Sequence, residues 1–230
     1  MVIIICQEFL MNGKSLLKIF ISMFCVLFFS TLTYANPVNE SAAVSWVNVT
    51  GHKLIDALSS SDILSKYETL DKMFKQDVDT EHMARFVIGK YWKTMDSSQQ
   101  QHYMELFSRY ALSVYKNYPL DFDTKGLDFE VLSVKQNQKF TDVTCSVMLP
   151  EQFASENLKS INVKFKLTQN NQKIKIVDLI FGQSSLLSTY RSRFYAMVTD
   201  LDEDMGWFLE DFADLVVSSE KTAQEKADNY

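Results

Sequence analysis

Apolar spacing divides the chain into a helical stretch over residues 41–118, a strand stretch over 127–181 and a second helical stretch over 185–217. Val44, Val47, Ile55 and Leu58 mark a first helix, and Ile63 to Phe74 gives a shorter second one. Asp79 or Thr80 caps a third helix with Met83, Phe86, Val87 and Tyr91 on one face. Ser97 and Ser98 each stand three residues before a glutamine, Gln100 or Gln101, which is the spacing of a capping box. Tyr103, Phe107, Tyr110 and Val114 follow at three- and four-residue steps, one stripe of a helix running to about Tyr118. Pro119 stops it, since proline has no amide hydrogen to continue the ladder.

The strand stretch changes period. Val143, Cys145, Val147 and Leu149 alternate with Thr144, Ser146 and Met148, and Ile161, Val163, Phe165 and Leu167 alternate with Asn162, Lys164 and Lys166. Gln169-Asn170-Asn171-Gln172 reads as the turn into Ile174 and Ile176, because asparagine tolerates positive φ. With Leu127 to Val134 as a first strand, four consecutive antiparallel strands result, apolar on one face and polar on the other. The fold expected is therefore α+β: an antiparallel twisted sheet of four or more strands, clasped on one side by helices. Residues 36–217 read as one domain, and Ser218 to Tyr230 as a frayed polar tail.

The segment before Asn36 stands apart from this pattern. Met11 to Lys18 carries two lysines, Ile19 to Phe29 is apolar apart from Ser22, and Ser30 to Ala35 ends in small residues. That order is the order of a secretory signal peptide, expected to be removed after Ala35, with Met11 as the start codon. The apolar run is short of the roughly 20 residues a spanning helix needs. Position 36 is Asn and not Cys, so a lipid-anchored lipoprotein is not expected. Removal takes Cys6 and Cys25 away and leaves Cys145 alone, so no intrachain disulfide is expected and the domain must rest on its core.

Composition narrows the partners. A net charge of -6 over 230 residues lacks the basic footprint of a nucleic-acid binder. His52, His82 and His102 have no i, i+4 partner among themselves, so a helical zinc motif is not expected, nor is any metal or cofactor. Gly182-Gln183-Ser184-Ser185 has only half of a nucleophile-elbow pattern. Asp178, inside an apolar strand, is the one carboxylate whose surroundings suggest a shifted pKa, and its plainer reading is pairing with an arginine or a backbone amide.

Two blocks carry a resemblance. One is Met83-Ala84-Arg85-Phe86-Val87-Ile88-Gly89-Lys90-Tyr91-Trp92, followed by Ser98-Gln99-Gln100 and Phe107. The other is Val177-Asp178-Leu179-Ile180 with Ser185-Leu186-Leu187-Ser188-Thr189-Tyr190-Arg191-Ser192-Arg193-Phe194. Together they resemble the MlaC (toluene-tolerance) family, periplasmic substrate-binding components of a phospholipid ABC transport system, over about Ile55 to Leu215. The family's acidic residue and glycine before the serine of the second block are replaced by Gly182 and Gln183.

The resemblance implies a sheet and helices enclosing an apolar cavity for phospholipid acyl chains, with no catalysis. It also implies exchange with an inner-membrane ABC transporter complex and an outer-membrane lipoprotein–porin complex, maintaining outer-membrane lipid asymmetry. The walls expected are Val147, Phe165 and Ile180 from the sheet, and Phe86, Phe107, Tyr110 and Val114 from the helices. Arg85 and Arg191 are expected to lock onto Asp178, the other reading placing them near a headgroup. Two further classes stay open: a small periplasmic hydrolase or isomerase using Asp178 or Ser185, and a structural adaptor with a filled core.

Overall fold

Asn171 and Gln172 both adopt positive φ, 47° and 64°, and so turn the chain in two residues from β3 (Ser160–Asn170) into β4 (Lys173–Phe181). This left-handed pair matches the twist of the flanking strands. In the computed structural model, which describes residues 36–117 and 122–228, β1 (Asp128–Gln136) and β2 (Thr141–Met148) precede that hairpin. A two-residue β5 (Ser184–Ser185) follows it through Gly182, whose φ of 60° the tight turn requires. The sheet order is β1-β2-β3-β4-β5 with every pairing antiparallel, an α+β meander. The expected leader, the Pro119 stop and the last two residues lie outside the described residues.

Each helix begins on a polar cap. Asn39 caps α1 (Glu40–Ser59), Asp62 caps α2 (Ile63–Asp77), and Asp79 caps α3 (Thr80–Ile88). A 3-10 turn over Gly89–Lys93 leads to α4 (Ser97–Lys116). Its capping box is made by Asp96 with Gln99, one step before the serines proposed for it, since aspartate serves the same role and leaves both serines inside the first turn. Ser185 caps α5 (Leu186–Asp200), and α6 runs over Met205–Asp228.

The last helix corrects the expectation of a frayed tail. Val216 and Ala223 are buried, the Ser113 hydroxyl donates to Ser219 Oγ at 2.8 Å, and Arg109 grips Glu220 through two bonds of 2.9 and 2.7 Å. Small side chains at 219 and 223 let α6 lie close along α4, so a polar composition conceals a docked helix.

Two main cores result. The larger gathers Val87 and Ile88 of α3, Tyr103, Leu106, Phe107 and Tyr110 of α4, Phe194 of α5, and Phe208 and Phe212 of α6. The other lies under α1, where Ala43 and Val47 meet Val143, Cys145 and Leu167 on the apolar sheet face. Residues before α1 strap this end: Asn36 pairs with Gln169, and the Val38 carbonyl accepts from Thr141 Oγ1 at 2.6 Å. The helical core meets the sheet beside β4, where Val78 forms a parallel bridge with Ile176 and the Asp79 amide donates to the Ile176 carbonyl.

Candidate functional site

One residue decides which side chains of β4 face the site. Lys166 pairs with Asp178 but Leu167 pairs with Ile176, so Val177 is an extra residue, a β-bulge. Because side-chain direction has a period of two, the bulge exchanges the faces beyond it. Ile174, Ile176, Leu179 and Phe181 share the apolar face with Phe165, Val163 and Val147, while Asp178 and Ile180 join Lys166 and Lys164 on the opposite face. Ile180 is therefore not brought together with Val147 and Phe165, contrary to strict alternation.

The apolar sheet face has two different ends. At one, α1 covers Val143, Cys145 and Leu167 completely, and burial pushes the Cys145 thiol up to about 11. Phe129 of β1 projects onto Gly51 of α1, where even an added methyl group would meet the ring at 2.4 Å. Phe165 is half-buried at the margin of this cluster. At the other end lie Val147, Ile161, Val163, Leu179 and Phe181, cross-strand neighbours by register and members of none of the three buried clusters. Val147, Ile161 and Leu179 are half-buried and Phe181 is 47% exposed. Of the expected walls, only Val147 and Phe165 lie on this face. The register adds Ile161, Val163, Leu179 and Phe181 to this face; the alternation around Phe165 already marked the first two, and the bulge hid the others.

The expected helical wall divides differently. Phe107 and Tyr110 are buried in the helical core, with Phe194 rings at 6.2 Å from each, and Val114 packs against the same cluster. Their stripe faces α5 and α6, whose aromatic surfaces bury it, and so lies in the helical core and not on the sheet face. Phe86 is 37% exposed, with the Arg191 guanidinium 5.0 Å above its ring.

The expected arginine locks on Asp178 are also corrected. Arg85 pairs with Glu81 at 3.0 Å and lies 4.6 Å over Trp92, as its position one turn after Glu81 favours. Arg191 donates to the Tyr195 hydroxyl at 3.0 Å. Asp178 is buried, accepting from Ser185 Oγ at 2.7 Å and the Leu187 amide at 3.2 Å. A carboxylate at a helix N-terminus compensates the unsatisfied amides there. Ser185 Oγ in turn accepts from the Ser188 amide, so this pair is the start of α5.

The two sequence blocks interlock at Gly89. Its φ is 53°, and a side chain there would collide with Tyr195 and Arg191. The Lys90 amide donates to Tyr195 Oη at 3.1 Å, and Tyr91 and Tyr195 pack edge to face at 5.1 Å. Partial burial alone would raise the Tyr195 pKa, but the bonds from Lys90 and Arg191 bring it below its ordinary value. Lys90 and Tyr91 both donate to Glu203, at 3.1 and 2.8 Å, which tie the same unit to the turn before α6. The motif residues thus clamp α3 to α5.

A polar cleft of about 420 Å³ opens between the end of α1, the start of α2 and the segment before β1. Leu58, Ser59, Ser60, Ser61, Lys66, Phe122, Asp123 and Thr124 line it. Leu58 also packs on Tyr67 and Leu70 of α2. Among the described residues, no His/Cys/Asp/Glu group has the arrangement to hold a metal ion, and no helix is long and apolar enough to cross a membrane.

Comparison with solved structures finds this architecture again. A phospholipid-binding protein from Ralstonia solanacearum, solved in complex with a phospholipid, superposes with a TM-score of 0.59 at 12% identity. The alignment covers 76% of this chain and 98% of that one. Comparison with curated proteins gives no match. The model of the MlaC protein family matches residues 51–204, spanning both sequence blocks, the whole sheet and the Gly89 clamp, and the chain belongs to that family.

Proposed function

We propose that this protein is a periplasmic phospholipid carrier that moves lipid between an inner-membrane ABC transporter complex and an outer-membrane lipoprotein–porin complex, and so maintains outer-membrane lipid asymmetry. The observation that carries the proposal is the sheet face from Val147 to Phe181, an apolar surface left outside the buried clusters in a member of the MlaC family. The described phospholipid complex of the Ralstonia protein with the same fold supports the ligand class. The Asp178–Ser185 pair is occupied in starting α5, which favours binding over catalysis. The leader-like residues 1–35 support export.

The energetics demand an enclosed apolar site. Each CH₂ removed from water is worth roughly 0.8 kcal/mol, so two tails of about 15 carbons represent on the order of 24 kcal/mol. A carrier must offset nearly all of this with its own apolar surface, and spontaneous release into water is correspondingly slow. Native mass spectrometry of the protein taken from its own periplasm tests the reading. The expected result is a chain beginning at Asn36 with phospholipid bound; a lipid-free chain beginning at Met1 or Met11 would overturn it. The shuttle is tested with labelled phospholipid, which is expected to stay on the protein beside plain anionic liposomes, since the chain from Asn36 onward is acidic. It should move only when the membrane complexes are reconstituted, and equally fast transfer to bare liposomes would refute the partner-dependent step.

A further inference from the structure

We propose that the outward face of α6, with Trp207 at its head and Glu210, Asp211, Asp214 and Val217 behind it, docks a basic protein surface that presents arginine or lysine to the indole. The proposal deepens the carrier reading and rests on it, the partner being a basic surface of one of the two membrane complexes. The face begins beyond residue 204, where the family match ends, so neither sequence block accounts for it. Packing is the first argument. Phe208, Leu209, Phe212 and Val216 occupy the inner side of α6 and are buried in the helical core. On the other side Trp207 is 62% and Val217 57% exposed, and Glu210, Asp211 and Asp214 are exposed with them. Steps of three and four residues place all five on one face. Tryptophan is the side chain that most often anchors an interface, and this one has no ring partner among the described residues. Its turn is already fixed. Asp204 Oδ1 accepts from the Gly206 amide at 2.7 Å and the Trp207 amide at 3.1 Å, and Glu203 is held by Lys90 and Tyr91. An anchor on a rigid turn loses little freedom when a partner covers it.

Charge is the second argument, and it selects the occupant. No lysine or arginine occurs between Met205 and Glu220. Among the described residues the carboxylates of Glu210, Asp211 and Asp214 make no ion pair, whereas Glu220 on the inner side is taken by Arg109. Lys221, the first cation further along the face, pairs with Glu225. A second copy docking by two-fold symmetry would set this acidic patch against itself. An anionic bilayer repels it for the same reason. A basic protein surface is attracted by the three carboxylates, and a guanidinium or ammonium set over the indole adds a cation–π contact. The apolar anchor and the charge around it therefore fit one kind of partner.

The test measures binding of the full mature, lipid-loaded chain to each membrane complex reconstituted in phosphatidylcholine nanodiscs, and to bare phosphatidylcholine vesicles, at rising salt. The wild type is expected to bind one complex, with affinity falling several-fold as salt approaches about 0.5 M. Trp207→Ala, and Asp211→Lys combined with Asp214→Lys, should each weaken that binding by about tenfold or more, and the charge reversal should also remove the salt dependence. Asp211→Asn combined with Asp214→Asn should give a smaller loss in the same direction and carries the reading if the reversed chain does not fold. Glu130→Lys combined with Glu156→Lys makes the same change of net charge at exposed positions elsewhere and should bind as the wild type does. Lipid loading, counted by mass spectrometry, should be equal in every variant. Folded α6 variants that bind both complexes as tightly as the wild type overturn the docking face and leave the carrier intact. An equal loss in the Glu130 and Glu156 variant also overturns it, by reducing the effect to net charge. Binding to bare vesicles, or self-association in sedimentation, that Trp207→Ala abolishes would reassign the face to lipid or to a second copy and overturn the proposal. A lipid-loaded wild type that binds neither complex overturns the docking face and the shuttle together. A chain that takes up no lipid yet binds a complex through Trp207 supports the docking face and overturns the carrier reading alone.

Discussion

The helical core and the sheet face are both apolar, yet they use different side chains in different ways. Around Phe194, the rings of Tyr103, Phe107, Tyr110, Phe208 and Phe212 all lie within 6.4 Å. Tyr103 is fully buried with its hydroxyl donating to the Ala84 carbonyl at 3.0 Å, and burial holds its pKa well above the ordinary value. The Tyr103 hydroxyl and the Phe194 ring both have partners there. On the far end of the sheet, Val147, Ile161 and Leu179 keep part of their surface outside any buried cluster. Among the described residues, aromatic side chains therefore gather chiefly in the helical core. The candidate binding surface is largely aliphatic, and its residues attract little notice in a composition.

The contrast breaks first at its rigid side. Phe194→Ala should lower stability by about 3–5 kcal/mol, the usual loss for a buried phenylalanine, measured by urea unfolding. Bound lipid per folded molecule should stay as in the wild type; a fall without loss of stability would place Phe194 in the lipid site. Leu179→Asp tests the open side. It should cost about 1–2 kcal/mol while reducing bound phospholipid several-fold, because a charge replaces tail contact. A variant as fully loaded as the wild type would remove Leu179 from the wall.

A smaller effect separates the two faces of one strand. Ile180→Ser should destabilise by about 1 kcal/mol or less and leave lipid loading unchanged, since the bulge at Val177 turns this side chain away from Phe165. Loss of lipid equal to that of Leu179→Asp would show the bulge to be wrongly placed. The smallest expected effect is on pH. Burial holds the His82 pKa below 6.5; Asp79 opposes this, Lys166 adds to it and Asp178 opposes it. The unfolded chain thus takes up the proton first, so stability is complete above about 6.5 and declines as pH falls through that value toward the folded pKa. His82→Gln should flatten that acid-side slope in thermal melts, and an identical slope in the variant would assign the effect to other groups.

Period and caps made most of the fold legible. Alternation around Cys145 and Phe165 defines two strands, Asn171 marks the turn between β3 and β4, and Asp79 begins α3 as its spacing indicates. The site was less legible for two physical reasons. A helical stripe such as Phe107, Tyr110 and Val114 states that something covers it, but not whether the cover is a sheet, a ligand or another helix. A single extra residue at Val177 leaves the apolar run unchanged in composition while reversing which members face inward. Asp178 shows the same limit: its burial was readable from the surrounding run, but its partner, the amide of Leu187, becomes adjacent only through the Gly182 turn.

The docking of α6 along α4 has a consequence for the order of folding. The sheet is a meander, so its strands meet after closing short loops, which is kinetically inexpensive. The aromatic core is the opposite, because α4 precedes the whole sheet in sequence and α6 follows it. Phe107 and Tyr110 lack the rings of Phe194, Phe208 and Phe212 until the whole sheet between them has been synthesised. A nascent chain therefore carries an incomplete core until α5 and α6 have been made. For a protein proposed to cross a membrane through a narrow channel before it folds, completing the rigid half last would keep the precursor threadable until the final helix has passed.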